Sequence, residues 1–320
     1  MIVSKIAAVV VVYNKNVSES ITCDRLLKLN RNEVTLVIVD NSEKETTNDE
    51  YCRSRNIDYI SMNGNKGLSK AYNRAVEFCK NNETDVIVLF DDDTEITGEY
   101  FDKLEEEIIS SPDVDVFAPV IFGQDEVIYS PNEFNFLRNH FITDENQIVS
   151  QDGFNAIASC LAIRTRVFDN FVFDETLFVD QVDQYFFYEQ RARGTKFKKM
   201  NIVINQNFYQ RAATLTPQAG WNRLKLRLVD IMRQTRLMGG GKYTVLGIVK
   251  CCGHLADSAA HTLHNLPILI RARFCKPILS CIRLHRCVGR VFLARHHHSS
   301  IDMRCSGLNV LDSSASASTI

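Results

Sequence analysis

Three apolar strands, Ile6–Tyr13, Val34–Val39 and Asp85–Phe90, each stop in polar residues: Tyr13-Asn14, Asp40-Asn41-Ser42 and Asp91-Asp92-Asp93-Thr94. Such Val- and Ile-rich runs read as strands covered on both faces. Between and after them lie segments of helical spacing. Ser18–Leu29 carries Ile21, Leu26, Leu27 and Leu29; Glu45–Arg55 is polar; Leu68–Cys79 sets Ala71, Ala75, Val76 and Cys79 on one side. A short strand at Ile57–Ile60, a helix at Gly98–Ile109 and a strand at Val114–Pro119 complete the alternation. Strands alternating with helices predict an α/β fold with a mainly parallel sheet. In open sheets of this kind ligands sit beyond the carboxyl ends of the strands. A site built from the three polar strand ends is therefore expected.

The pattern changes downstream. Residues 120–215 are irregular, with one helix near Val182–Arg193, and residues 217–295 read as helices interrupted at Gly239–Gly241, Pro267 and Pro277. After Arg295 come three histidines and a Ser/Ala-rich stretch without periodicity. The expected organisation is a catalytic domain over 1–215, a helical basic extension over 216–295 and a disordered tail over 296–320. Charge follows the same division. Residues 1–215 hold 22 Lys+Arg against 35 Asp+Glu, net −13, whereas 216–320 hold 15 against 4, net +11. With 45% hydrophobic and 24% charged residues the chain is an ordinary globular one, not a disordered, collagenous or disulfide-scaffold sequence. No apolar run approaches the roughly 18 residues that suggest a spanning helix. The first strand is too short for a signal segment, and a cytoplasmic protein is the expectation. The ten cysteines include no Cys-x-x-Cys pair and read as reduced thiols.

Asp91, Asp92 and Asp93 follow the third strand directly. Carboxylates packed so closely repel one another unless a cation shares them. Mg²⁺ or Mn²⁺ suits such a place, because a hard divalent ion takes one or two carboxylates and completes its shell with substrate phosphates. The competing reading is an acidic loop that favours the start of the next helix. No Gly-x-Gly-x-x-Gly follows the first strand, which disfavours a dinucleotide site, and no Gly-x-x-x-x-Gly-Lys-Ser/Thr loop is present.

The motifs fall in a familiar order: Val-Val-Val-Tyr-Asn ending at Asn14, Val37–Ser42, Asn65-Lys-Gly67 with Ala71-Tyr-Asn73, Val88–Thr94, and Phe173–Asp183 with Arg193-Gly194. Over roughly residues 5–200 the chain resembles the family 2 glycosyltransferases of the bacterial rhamnosyltransferase-like branch. The resemblance implies a GT-A fold and direct displacement at a sugar anomeric carbon with inversion. It places Tyr13 near the nucleobase and Asp40 on it, and Asn65 and Gly67 in a loop near the donor. Asp91 and Asp93 match the Asp-x-Asp motif, near the ribose and on the metal that bridges the diphosphate. Asp183 matches the catalytic base. Asp180, one helical turn away, can face the same cleft, with a helix N-cap as its structural alternative. Phe173, Leu177 and Phe178 are expected in the core. The implied donor is dTDP-rhamnose or a UDP-hexose, with a galactofuranosyl donor also open. The implied acceptor is a glycan, polyprenyl-linked, in surface polysaccharide assembly.

The chain departs from that family at three places. Tyr185 replaces a second acid two residues after the base, Ala158-Ser159-Cys160 replaces Ser-Gly, and Asn205–Gln210 lacks the late histidine that helps bind the diphosphate. Two other readings compete. A haloacid-dehalogenase-type phosphatase wants Thr or Val where Glu95 stands. A non-catalytic nucleotide-sugar-binding partner would tolerate the three departures.

From Ser258 to Ile301 there is no acidic residue, and Arg271, Arg273, Lys276, Arg283, Arg286, Arg290 and Arg295 interleave with Ile, Leu, Val and Phe. That pattern predicts peripheral attachment to an anionic membrane on its cytoplasmic side. The alternative is a packed helix pair with a solvated basic face. Nucleic acid is disfavoured, since no recognised binding motif is present. Cys275, Cys281 and Cys287 are candidates for acylation, and His296-His-His298 for adventitious metal binding.

Overall fold

The computed structural model describes residues 4–206 and 216–264. Its central sheet contains β1 (Ile6–Val12), β2 (Val34–Asp40), β3 (Asp58–Ser61), β4 (Val86–Phe90), β5 (Val116–Gly123), β10 (Leu161–Arg164) and β11 (Phe197–Gln206) in the order β11-β5-β10-β4-β1-β2-β3. β6 (Ile128–Ser130) pairs antiparallel with β5. β4, β1, β2 and β3 are parallel, as are β5 and β11; β10 runs antiparallel between β4 and β5. A second, three-stranded sheet is made of β7 (Asn132–Glu133), β8 (His140–Phe141) and β9 (Phe154–Asn155).

The two-residue alternation of β1 divides the core into two layers. Ile6, Ala8, Val10 and Val12 face one side, with Leu26 of α1 (Ile21–Leu29), Cys52 of α2 (Asn48–Ser54) and Tyr100, Phe101 and Leu104 of α4 (Gly98–Ser110). Ala7 and Val9 face the other, with Ala71, Ala75 and Cys79 of α3 (Leu68–Asn81) and Phe186 and Phe187 of α5 (Val182–Ala192). The small residues on α3 let that helix lie close to the sheet. The parallel register pairs Val12 with Asp40 and Val10 with Phe90, so the chain leaves β1, β2 and β4 at one edge.

Local structure departs from the sequence expectation in two respects. α2 begins at Asn48 rather than Glu45, because the Asn48 side chain is spent on the segment after β1 and the end of β2: its Oδ1 accepts from Val17 N and its Nδ2 donates to Lys15 O and Asp40. Phe173 and Leu177 are buried as expected, whereas Phe178 is only half-buried and lies against Gly67.

α6 (Pro217–Leu237) and α7 (Lys242–His264) follow, separated at Gly239–Gly241, where all three glycines have positive φ. The chain forms one compact unit over Met1–Leu255 and a second over Ala256–Ile320, of which the end of α7 is described. α6 and most of α7 therefore belong to the same unit as the sheet. The expected interruptions at Pro267 and Pro277, the basic run from Arg271 to Arg295, Cys275, Cys281, Cys287 and the tail lie outside the described residues. Among those described, the cysteines at 23, 52, 79, 160, 251 and 252 are free thiols.

Asp230 fastens α6 to the site. It is fully buried, and its carboxylate accepts from the backbone N–H groups of Phe178 (3.1 Å), Val179 (2.9 Å) and Asp180 (2.9 Å), while Arg233 pairs with it at 3.2 Å. Three successive N–H groups on one carboxylate fix the chain just before α5. The Asp230→Ala variant is expected to lose about 2–4 kcal/mol, because those donors would be left without an acceptor. Urea unfolding checks this. An unchanged midpoint would show that the segment before α5 holds its shape without α6.

Candidate active site

The loop after β2 is organised around Asp40. This carboxylate is nearly inaccessible and accepts from Ser42 N (3.0 Å), Thr46 Oγ1 (3.0 Å), Asn48 Nδ2 (2.7 Å) and Tyr59 OH (3.1 Å). Burial raises its pKa, but the hydrogen bonds from Ser42, Asn48 and Thr46 outweigh that effect and hold it below the usual range. Tyr13 lies at the rim, 49% exposed, with its hydroxyl 3.2 Å from Glu43 Oε2. Asn14, in the left-handed region at φ 52°, receives the N–H groups of Glu43 and Lys44 on its Oδ1.

Asn65 Oδ1 accepts from Asn41 Nδ2 and from Gly67 N, both at 3.2 Å. Gly67 has φ 89°, and a Cβ there would lie 2.8 Å from both the ring and the carbonyl oxygen of Phe178. Only glycine satisfies both conditions. Leu68 N donates to that same carbonyl at 2.5 Å. The Asn65–Gly67 loop is thus joined to the segment that Asp230 holds.

The triple aspartate is braced from the start of α1. Ser20 Oγ donates to Asp92 O (2.8 Å), and Thr22 Oγ1 donates to Asp91 O (2.6 Å) and accepts from Thr94 N (2.8 Å). Asp92 turns to Lys15 at 2.7 Å. Asp91 accepts from Ser159 Oγ and from Gln206 Nε2 (2.8 Å), and the same Gln206 nitrogen is 3.3 Å from Asp93 Oδ1. Burial pushes both carboxyls up. Asp93 reaches about 7, with the charges of Asp91 and Asp92 adding to burial and Lys15 opposing; Asp91 rises despite its bonds to Ser159 and Gln206.

A cleft of about 500 Å³ opens beside this loop, with Asp91, Ser159, Tyr72, Asp180 and Asp183 in its walls. Asp183, in the first turn of α5, accepts from Gln184 N at 2.8 Å. Burial foremost, with the charges of Asp180 and Asp91, pushes its pKa up to about 6. Asp180 has a different environment: it pairs with Arg223 and, at 3.4 Å, with Arg227. It does not cap α5, whose N-cap is Gln181 in the left-handed conformation. Of the two acids on this segment, Asp183 forms no ion pair among the described residues.

Asp91 and Asp183 therefore share one cleft, Asp93 adjoins Asp91 through Gln206, and Tyr13, Asp40, Asn65 and Gly67 lie along the ends of β1 and β2. Sequence reasoning had no means of finding Ser20, Thr22 and Asp230. Ser159 and Gln206 stood in segments marked only as departures from the family pattern, and spacing could not show that both reach Asp91. Among the described residues no three His, Cys, Asp or Glu side chains are grouped to hold a metal ion. Two carboxylates and an amide are grouped, however. Gln206 Oε1 is buried beside Asp91 and Asp93 with no hydrogen-bond partner. The Gln206 group facing the carboxylates is the amide nitrogen, a donor; the two crowded carboxylates by themselves fit Mg²⁺ or Mn²⁺, which need few protein ligands when phosphate oxygens supply the rest.

The sequence model of the family described as "Glycosyl transferase family 2" matches residues 7–172. A dTDP-rhamnosyl transferase, RfbF, of Shigella flexneri is 28% identical over 187 residues, which is 56% of this chain and 61% of that protein. The chain thus matches under two thirds of that relative's length. A mannosyltransferase from Pyrobaculum calidifontis, solved with GDP-Man and Mn²⁺, superposes with a TM-score of 0.52 at 12% identity, covering 92% of this chain and 88% of that one. S. aureus TarS 1-349, solved with UDP, gives a TM-score of 0.46 at 16% identity, covering 84% and 78%. The fold is the GT-A fold, a mixed α/β arrangement with a mostly parallel central sheet.

The raised pKa of Asp183 makes stability depend on pH with a definite sign. Between the ordinary value of 3.8 and about 6 the folded protein binds a proton that the unfolded chain releases. That contribution is complete below 3.8 and is lost as pH rises through 6. Asp183→Asn, which cannot ionise, should melt a few degrees above wild type at pH 8, with the gap closing towards pH 4. Thermal melting across that range checks it. A gap that is constant with pH would mean that Asp183 ionises normally.

Proposed function

Because this chain belongs to glycosyl transferase family 2, we propose that it transfers a sugar from a nucleoside-diphosphate donor to a glycan, with inversion at the anomeric carbon. The observation that carries the reading is the pairing, in one cleft, of the aspartate loop after β4 with an acid on α5 that has no ion-pair partner among the described residues. Asp183 takes the proton of the acceptor hydroxyl as it attacks. A carboxyl with a pKa of about 6 is mostly ionised at neutral pH yet more basic than an ordinary aspartate, which suits a general base. The nucleoside lies across the ends of β1 and β2. Tyr13 offers an exposed ring there. Asp40 acts through the loop it fixes, since its oxygens are already engaged with Ser42, Thr46, Asn48 and Tyr59. Asn65 and Gly67 shape the donor side, where the glycine lets the backbone approach closely.

Asp91 and Asp93 would hold Mg²⁺ or Mn²⁺, and a cation bound there would offset the charge that develops on the leaving diphosphate. Ser159 and Gln206 keep the Asp91 carboxylate in one orientation, and Thr22 keeps its backbone in place. The donor reading of dTDP-rhamnose draws support from the Shigella relative; a UDP-hexose serves the same chemistry.

We further propose a lipid-linked acceptor and peripheral attachment to the cytoplasmic face of a membrane. Support comes from α6 and α7. Trp221, Leu226, Val229, Val245, Ile248 and Leu255 are exposed there, and Val229, Met232, Ile248, Cys251 and Cys252 line a shallow groove flanked by Arg233 and Arg236. Apolar residues rimmed by arginines suit an anionic bilayer surface. No helix among the described residues is long and apolar enough to cross a membrane.

Incubation with nucleotide sugars and Mn²⁺, scored for released nucleoside diphosphate, tests the activity. Asp183→Asn is expected to bind donor normally and to slow transfer ~10²–10⁴-fold, the range for loss of a general base. Asp93→Ala should abolish transfer and the metal-linked part of nucleoside diphosphate binding. Binding without turnover under every donor would favour a non-catalytic nucleotide-sugar-binding partner instead. Attachment is tested by co-sedimentation with anionic and neutral liposomes. Salt-sensitive binding to the anionic ones alone is expected, and equal binding to both would remove the membrane from the reading.

A further inference from the structure

The cleft that holds Asp91 and Asp183 also carries a concentration of positive charge from α6 and α7 that glycosyl transfer by Asp183 does not use. Arg223 and Arg227 project from α6, Lys250 projects from α7, and all three line the same cleft as Asp183. None of Tyr13, Asp40, Asn65 and Gly67 lines it. Asp180 is the carboxylate that the two arginines share. A guanidinium presents its N–H donors in a planar fork that suits oxyanions.

Lys250 is in a stranger position. Its ammonium donates to the Gln181 side-chain carbonyl at 3.2 Å and sits 5.1 Å from the Phe136 ring centre. It forms no ion pair among the described residues. Burial, with the neighbouring Arg227 charge adding to it and Cys251, Asp180 and Asp183 opposing it, pushes its pKa down to about 8. Drawing a lysine out of water beside an arginine is costly, and the cost is offset when an anion arrives. A divalent oxyanion is the ligand whose charge and acceptor count match two forks and an ammonium.

We propose that Arg223, Arg227 and Lys250 form an anion subsite that holds a phosphate or diphosphate group of the substrate during transfer. Two sources have this chemistry: the diphosphate that would join a lipid to the acceptor glycan, and the diphosphate of the donor. The absence of Tyr13, Asp40, Asn65 and Gly67 from the lining of this cleft favours the acceptor. The inference rests on the glycosyl transfer reading for its purpose, but it is measured without turnover.

Equilibrium binding of geranyl diphosphate to the full chain, in the absence of divalent metal, is the test. Geraniol serves as the uncharged control. Lys250→Met, which keeps length and packing under Phe136, and Arg227→Gln should each weaken geranyl diphosphate binding on the order of tenfold. Lys225→Met, on the exposed side of α6, removes the same charge away from the cleft and should leave binding unchanged. Melting curves confirm that each variant is folded. If saturating UDP or dTDP with Mn²⁺ leaves geranyl diphosphate bound, the subsite serves the acceptor; if it displaces it, the subsite serves the donor. Either result upholds the subsite. Equal binding of geraniol and geranyl diphosphate, or equal loss in Lys225→Met and Lys250→Met, would overturn it. Failure of the transfer reading shows separately, as diphosphate binding with no nucleoside diphosphate released from any nucleotide sugar.

Discussion

Mutual repulsion among carboxylates at one edge of the sheet is the constraint around which this molecule is arranged. Parallel pairing of β4, β1 and β2 leaves Asp40, Asp91, Asp92 and Asp93 at one end of the sheet, and α5 adds Asp183. Each charge is met differently. Asp40 is saturated by four donors, Asp92 is given to Lys15, and Asp91 is shared between Ser159 and Gln206. Asp93 and Asp183 receive the least, and theirs are the carboxyls pushed up to about 7 and about 6. The two acids with the least compensation are those to which chemistry is assigned, as expected where an enzyme tunes groups by withholding partners.

The architecture was legible because it follows from period and punctuation. The alternation of β1 between two cores, the small-residue face of α3 and the polar ends of three strands are all written in adjacent residues. α2 starts late because Asn48 is held by residues 31 and 8 positions away, and no local pattern carries that information. The same limit governs the site. Asp91, Asp93 and Asp183 stood out by motif, whereas Ser159 and Gln206 reach Asp91 across 68 and 115 positions. Asp180 shows the limit in another way: as an isolated acid before a helix it reads as a cap, and only the arrival of α6 makes it an ion-pair partner.

The acidic-then-basic division of the sequence has a physical counterpart within the compact unit. α6 and α7 bring Arg223, Arg227 and Lys250 to the cleft that the acidic part opens, so a split visible as net charge along the chain becomes two signs of charge in one cleft. A substrate with a hydroxyl to be deprotonated and a phosphate to be held would find both in one place.

Gly67, Phe178 and Asp230 lie far apart in sequence yet form one chain of contacts: the glycine accommodates the Phe178 ring and carbonyl, and the Phe178 amide rests on Asp230. For the recombination of such sequences this sets a unit of inheritance. A chimera whose crossover falls between Gly67 and Phe178, or between Phe178 and Asp230, takes one member from each parent. It would join surfaces that were never selected to fit. Exchanging donor preference between relatives of this chain would then require the three segments to travel together, although they occupy three separate stretches of the gene.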